Sequence, residues 1–428
     1  MKKLNIAIIG LGNIGSYLFK YLKENQKILT EKNNCIPVIK YVSAKNIRRK
    51  RNIKINKNQW LKNYLESTKI KDVDLIVELI GGAEGPAKKL VFNALKNKKH
   101  VVTANKALIA KYGDQLSKIA EQNKVNLEFE ASVCGGVPII RSLKEGLIAN
   151  KISRIYGIFN GTSNYILSSM DKENKSFNDV LTNAKLLGYA ETNPSADLSG
   201  DDVSSKLKIL SSLCFNSFLN NNIYVEGIEN IDKTDIENSN KLGYKIKLLG
   251  FAELLNNKIY QRVHPTLIKK DSYVASIDGV LNAVIVDGKP LGQTTIQGEG
   301  AGPAATTSAL VSDISSILRG NIKFPFSLSS KKRKKLIFNN ISERFFSAYL
   351  RFEVIDKPGV LSNITSIFSK NKVSIKRLIQ NPYKNKKISS IVIITHKSKD
   401  KYLKKILKEV SKKNYIYKKT KLIRIDNN

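Results

Sequence analysis

The chain has 428 residues, 42% hydrophobic and 8% aromatic, which is enough for two or three domains with their own cores and too apolar for a disordered chain. Lysine and arginine number 73 against 36 acids, a formal net charge of +37. The lysines are nevertheless spread throughout and mixed with Asn and Ile, as AT-rich coding produces, and no basic stripe interleaved with aromatics marks a nucleic-acid partner.

LNIAII (4–9) reads as a short buried strand, and Gly10-Leu11-Gly12-Asn13-Ile14-Gly15 follows it directly, opening a helix over SYLFKYLKEN. IPVIKYVSA (36–44) and VDLIVELIGG (73–82) read as further strands, 86–99 as a helix, and HVVTANK (100–106) as a strand with its exit loop. That alternation predicts a doubly wound α/β domain. From about 127 the texture turns to Gly, Asn and Ser around apolar strands. Helices are expected near 178–187, 202–215 and 238–254 and β-structure over 258–296, making one α+β domain. GEGAGPAATTSALVSDISSILRG (298–320) is a glycine turn opening a long helix, and the lysine-rich 331–335 reads as a solvated linker. The last eighty residues then alternate as βαββαβ: AYLRFEVID, a turn with Pro358 set for a helix's first turn, VLSNITSIFSKN, VSIKRLIQNP, KKISSIVIITH, YLKKILKEVSKKN and IYKKTKLIRID.

No apolar run approaches the roughly 18 residues of a membrane span. The opening MKKLNIAIIGLGNIG mimics a secretion signal, but its apolar stretch is short and breaks into glycines. Cys35, Cys134 and Cys214 are scattered without a CxxC, and His100, His264 and His396 lie far apart. A cytoplasmic protein without a disulfide framework or zinc site is expected.

The glycine run sits where a dinucleotide fingerprint must, after a strand and at a helix N-terminus, so Gly10, Gly12, Asn13, Ile14 and Gly15 are expected to cradle a pyrophosphate. The second strand ends in Ser43-Ala44-Lys45-Asn46, followed by Arg48 and Arg49, with no carboxylate for a ribose 2′-hydroxyl. Cations there suit a 2′-phosphate, so Lys45 is expected to favour NADP(H) over NAD(H).

The stretch GYAETNPSADLSGDDVSSKL (188–207) gathers Glu191, Asp197, Asp201 and Asp202 in a strongly basic chain. Asp202 and Lys206 are four apart and share a helix face, and the acids of the first turn suit the helix dipole. A surface ion pair would account for this much. The flanking pattern, however, resembles the catalytic segment of homoserine dehydrogenase. VVTANKALIA (101–110), EASVCGGVPII (130–140), GIFNGTSNYIL (157–167) and GEGAG (298–302) resemble other blocks of that family, in its order and spacing. DKPGVL (356–361), VSIKRLIQ (373–380) and IVIITH (391–396) are similar to an ACT domain.

The resemblance implies a Rossmann-type NADP-binding domain (1–135, completed by the helix near 303–320), an α+β catalytic and dimerisation domain (136–302) and a regulatory ACT domain (346–428). It implies reversible reduction of L-aspartate 4-semialdehyde to L-homoserine on the way to threonine, methionine and isoleucine. Lys206 and Lys106 match the family's catalytic lysines, Glu191, Asp202 and Asp197 its substrate-binding acids, and Lys106 and Gly302 its cofactor contacts. A lysine must be lowered from about 10.4 by burial or a neighbouring cation to donate readily near neutrality. Glu130, Val133, Gly135 and Val137 match a site for a monovalent cation, Na⁺ or K⁺. A homodimer or homotetramer with threonine as effector is implied for the ACT unit. Cys134 stands where a smaller residue is usual, and Pro303-Ala304-Ala305-Thr306 alters the helix start after Gly302. Alternative readings are another amino-acid semialdehyde dehydrogenase on the same scaffold and a non-catalytic sensor of NADP and amino acids.

Overall fold

The computed structural model describes residues 1–383 and 387–426. The chain begins β1 (Lys2–Ile9), α1 (Asn13–Glu24), α2 (Gln26–Asn33), β2 (Cys35–Ser43), β3 (Leu75–Glu78), α3 (Pro86–Lys96), β4 (His100–Thr103), α4 (Lys106–Asn123) and β5 (Leu127–Glu128). The five strands form one parallel sheet in the order β2-β1-β3-β4-β5. β3 is buried along its whole length, as a parallel strand covered on both faces should be. The turn after β1 requires glycine: Gly10 has φ +110°, and a Cβ on Gly15 would stand 2.0 Å from the Gly10 carbonyl oxygen.

The middle of the chain supplies α5 (Ile139–Arg141), β6 (Lys151–Ile158), α6 (Gly161–Glu173), α7 (Phe177–Leu186), α8 (Ser195–Ser199), α9 (Asp201–Cys214), β7 (Tyr224–Val225) and α10 (Lys233–Lys241). There follow β8 (Tyr244–Leu255), β9 (Lys258–Lys269), β10 (Leu281–Lys289), β11 (Gly292–Glu299) and α11 (Pro303–Leu318). α11 returns to the first unit, where Leu310, Ile314 and Ile317 pack with Leu18, Phe19 and Leu22 of α1. After β12 (Ile337–Phe338), the chain ends β13 (Phe345–Ile355), α12 (Val360–Lys370), β14 (Ile375–Pro382), β15 (Ile388–Thr395), β16 (Ser398–Lys399), α13 (Asp400–Ser411) and β17 (Lys421–Asp426).

The second sheet runs β11-β10-β6-β8-β9-β17-β13-β15-β14. Its two halves are the sheet of the middle unit and the sheet of the C-terminal unit, joined where β17 pairs in parallel with β9 through Arg424↔Thr266 to Asp426↔Ile268. Ion pairs reinforce this seam. Arg154 meets Asp426 at 2.7 Å, Arg424 meets Glu226 at 2.9 Å, and Arg351 of β13 reaches Asp235 of α10 at 2.8 Å.

Four expectations are corrected here. The helix expected over 238–254 ends at Lys241, and Tyr244–Leu255 is a strand. β8 is buried almost throughout, so its sequence shows no alternation, and Gly243 at φ +83° breaks the chain between the two elements. The segment 331–335 is not simply a solvated linker. Arg333 is buried, donates to the Ser217 carbonyl and the Ser212 hydroxyl, and pairs with Asp114 at 2.8 Å. Pro358 precedes the helix rather than opening it, since Gly359 is the cap of α12 at φ +86°. The strand expected to start at Lys386 begins at Ile388, and Lys386 lies outside the described residues. Among the described residues no helix is long and apolar enough to cross a membrane.

The seam generates a prediction. A chain ending near residue 330 leaves Thr266–Ile268 of β9 unpaired on one side and uncovers the apolar face and the Asp235 carboxylate that β13 and β17 cover in the intact chain. It is expected to aggregate or to melt well below the intact chain, by size exclusion and thermal denaturation. A soluble product with an unchanged melting temperature would show that the C-terminal unit is dispensable for folding.

Candidate active site

Four elements converge on one carboxylate. Asn105 caps α4, its Oδ1 accepting from Leu108 N at 3.1 Å while its Nδ2 donates to the Gly82 carbonyl at 2.8 Å. This fixes Lys106 as the first residue of the helix. Gly200, at φ +89°, allows α9 to start abruptly after α8, with Asp201 and Asp202 in its first turn and Lys206 one turn on. Asn160, just beyond β6, caps α6 by accepting from Ser163 N at 2.8 Å.

Asp202 receives Lys106 Nζ on Oδ1 at 2.7 Å and Lys206 Nζ on Oδ2 at 2.7 Å. Asn160 Nδ2 donates to the same Oδ2 at 2.8 Å and to Asp197 Oδ1 at 2.7 Å. Lys206 Nζ also donates to the Phe159 carbonyl at 2.7 Å. Asp202 and Lys206 are 6% and 8% exposed, so the i,i+4 pair is an interior one, whereas the Lys106 side chain is 44% exposed and faces the opening.

The electrostatics follow from this geometry. Burial opposes the charge on Asp202, but Lys206, Lys106 and Asn160 outweigh it and hold the carboxyl well below its usual range. Burial likewise opposes the charge on Lys206, and Asp202 more than compensates, so its ammonium holds its proton more tightly than an ordinary lysine. The lowering expected of a catalytic lysine does not occur at Lys206 because the Asp202 carboxylate lies against it. Burial raises Asp197.

These residues line a cleft of about 600 Å³. Glu191 stands at its rim, exposed and in no ion pair among the described residues. Thr162 Oγ1 donates to the Tyr189 carbonyl at 2.7 Å, tying the start of α6 to the loop that carries Glu191. Gly302, the cap of α11 at φ +99°, closes the far side. Asn160, Thr162, Tyr189 and Asn282 belong to the cleft and were not singled out from sequence. The first two stand in the GIFNGTSNYIL block, which was the available signal; Asn282 stands in a β-rich stretch that offered none.

Gly12 and Asn13 lie in a separate depression of about 360 Å³, with Arg49, Lys50, Arg51 and Pro303 on its walls. Gly10 and Gly15 shape the turn beneath it, and Ile14 packs on the core of the sheet. Arg51 Nε donates to the Leu11 carbonyl at 2.9 Å, holding the basic loop against the glycine turn. Lys45 is exposed on the same loop, outside this lining. Pro303 is the first residue of α11 and Thr306 N donates to the Gly302 carbonyl at 3.0 Å, so the unusual start leaves the helix regular.

Glu130 is buried between β5 and α5. Its two oxygens accept from Ile140 N at 2.9 Å and Arg141 N at 2.6 Å. Burial pushes its carboxyl up to about 7 against the pull of these amides. Val133 and Val137 are buried beside it, and a Cβ on Gly135 would meet the Gly300 carbonyl oxygen at 2.5 Å. Cys134 is buried, with its thiol pushed up to about 11, so it fills space and is protected from oxidation. No group of three or more His, Cys, Asp or Glu among the described residues could hold a metal ion.

Residues 138–315 match the family model for homoserine dehydrogenase, and residues 10–130 match that for the homoserine dehydrogenase NAD binding domain. The chain belongs to the homoserine dehydrogenase family. Residues 350–418 match the AHAS small subunit-like ACT domain. The homoserine dehydrogenase of Neisseria gonorrhoeae is 38% identical, covering 100% of this chain and 99% of that one, and the one from Helicobacter pylori is 38% identical with 100% of both covered. The crystal structure of a homoserine dehydrogenase from Thiobacillus denitrificans superposes with a TM-score of 0.93 at 34% identity, covering 100% of this chain and 99% of that one. A hyperthermophilic archaeal homoserine dehydrogenase mutant in complex with NADPH matches at a TM-score of 0.61 and 25% identity, over 73% of this chain and 97% of that one. As a homoserine dehydrogenase family member the chain is an oxidoreductase of the CH–OH group that uses a nicotinamide dinucleotide.

Lys206→Ala is expected to lower kcat by about 10²–10⁴-fold with dinucleotide binding kept. Asp202→Asn removes the anion that holds the Lys206 proton, so the lysine pKa falls and the alkaline limb of the reductive pH–rate profile moves to lower pH. An unmoved limb would exclude Lys206 as the group titrating there.

Proposed function

We propose that the chain reduces L-aspartate 4-semialdehyde to L-homoserine, reversibly and with NADP(H), within threonine, methionine and isoleucine synthesis in the cytoplasm. The observation that carries this reading is the buried Asp202 shared by Lys106 and Lys206 at the floor of the cleft. The dinucleotide supplies the hydride. Lys106 and Lys206 direct ammonium N–H groups at the carbonyl oxygen, stabilise the charge that develops there and leave one proton on it; Lys206, the buried one, is assigned as donor. Both oxygens of Asp202 are already engaged, so its part is to hold the two lysines, while Glu191, with Asp197 nearby, receives the substrate ammonium.

The 2′-phosphate of the cofactor would meet the loop carrying Lys45 and Arg49, which has no opposing carboxylate at the end of β2. The test is NADPH oxidation with aspartate semialdehyde. Turnover is expected with the intact chain, with a raised KM for the aldehyde and retained kcat in Glu191→Gln. Lys45→Glu and Arg49→Glu are expected to lower the NADPH/NADH ratio of kcat/KM, Arg49→Glu more strongly. A chain inactive on this aldehyde, or an unchanged ratio, would refute the corresponding part.

The residues at Glu130 fit a monovalent cation. The buried carboxyl is short of countercharge, and main-chain carbonyls of Val133, Gly135 and Val137 would complete a hard-oxygen set. Such an ion would brace the loop beside α5. Adding Na⁺ or K⁺ in place of a bulky organic cation is expected to raise the melting temperature of the parent and not that of Glu130→Gln.

For the ACT unit, threonine is the proposed effector, within a dimer or tetramer. A cavity of about 410 Å³ is formed by 354–361 and Gln380, around the turn Asp356-Lys357-Pro358-Gly359. The helix start at Gly359 offers amides to a carboxylate. Threonine is expected to inhibit the full-length enzyme, and Asp356→Ala or Gln380→Ala to weaken inhibition while leaving uninhibited turnover intact. Equal inhibition of parent and variants would place threonine at the cleft instead.

A further inference from the structure

Asn282 lies on β10, in the wall of the catalytic cleft, and is 1% exposed. Its Nδ2 and Oδ1 have no nitrogen or oxygen partner among the described residues, and the Cys134 thiol engages it only through a weak hydrogen bond. A buried primary amide with no better partner than a thiol is destabilising, and native structures rarely keep one without a use. The site is also shaped to keep it. A Cβ on Gly300 would stand 2.2 Å from Asn282 Nδ2, so the glycine is what leaves the amide its place. From Gly300 the chain passes through Ala301 to Gly302, the cap of α11, and all three line the same cleft as Lys106 and Lys206.

We propose that Asn282 is a cofactor-binding residue that receives the carboxamide of the nicotinamide ring. This rests on the reading that the redox end of the dinucleotide enters this cleft. The choice of ligand group follows from what the orphaned amide lacks. The aldehyde and carboxylate of the substrate only accept hydrogen bonds, and its ammonium only donates, so each would satisfy half of Asn282. A carboxamide presents an N–H and a C=O side by side and satisfies both halves. Lys106 and Lys206 already supply donors toward the aldehyde, whereas no other side chain described for the cleft is a buried amide with both atoms open. Holding the carboxamide would fix the rotation of the ring about its glycosidic bond.

The test is binding, measured by titration calorimetry on the full-length protein with three probes. NADPH carries the carboxamide, its 3-acetylpyridine analogue replaces the amide nitrogen by a methyl group, and 2′,5′-ADP lacks the nicotinamide half. Asn282→Ala is expected to raise the Kd for NADPH by about tenfold, to raise that for the acetylpyridine analogue less, and to leave 2′,5′-ADP unchanged. Equal weakening of both dinucleotides would assign Asn282 to the ribose hydroxyls and overturn the proposal, as would unchanged NADPH affinity. Should Asn282→Ala fail to fold, Asn282→Asp keeps the shape and only accepts. It should then weaken the analogue, which has no N–H to offer, more than NADPH, and equal weakening overturns the proposal. Turnover of aspartate semialdehyde by the parent is scored separately, so loss of the substrate reading and loss of this one are distinct results.

Discussion

The structure of the site depends on one buried anion with two cations. A carboxylate as enclosed as Asp202 would normally take up a proton, and an ammonium as enclosed as Lys206 would normally lose one. Each keeps its charge because the other is 2.7 Å away, and Lys106 brings a second positive charge from a different domain. Removing Asp202 or Lys206 therefore changes the ionisation of the other, and the arrangement is worth more as a unit than pair by pair. Asn160 extends the unit, since the amide that reaches Asp202 also reaches Asp197 and its oxygen caps α6. The helix start, the acid loop and the donors are thus set by a single side-chain network.

The same logic, buried charge answered by buried charge, appears at the β9–β17 seam. Arg424 is 1% exposed and is held between Glu226 and Asp400. Arg351 is similarly enclosed against Asp235 and Glu353. These pairs contribute little net stability compared with apolar packing, but they tolerate only one register between the two units. The ACT cavity near Asp356 lies at the end of β13, the strand that also carries Arg351, so one strand links the ligand turn to α10 of the catalytic unit.

Much of this was legible from residues alone, and the failures have physical causes. The glycine turn is readable because only glycine fits where Gly10 and Gly15 approach each other, and the Asp202–Lys206 face is readable because helical periodicity places residues four apart together. The resemblance brought Lys106 into view, although nothing local marks it, as its partner is nearly a hundred residues away in sequence. β8 was read as helix because burial on both faces erases the alternation that identifies a strand. Arg333 looked like one more lysine-type charge because its partner Asp114 comes from α4 and its acceptors from α9 and the turn that follows it. Lys206 was expected to be lowered because the compensating role of the intervening carboxylate is a matter of distance, which sequence does not contain. Asn282 left no trace, since an unsatisfied amide is visible only when its surroundings are.

The parallel pairing of β17 with β9 has a consequence during synthesis. β17 is built from the last described residues of the chain, and β9 from its middle. At ~5–20 residues per second, several seconds or more separate the emergence of the two strands from the ribosome. Throughout that interval Thr266–Ile268 of β9 lacks its partner strand, whereas α11 completes the nucleotide-binding unit well before β17 is made. The seam between the two sheets therefore closes last, and the time between β9 and β17 is when that margin is most exposed to wrong partners and to chaperones.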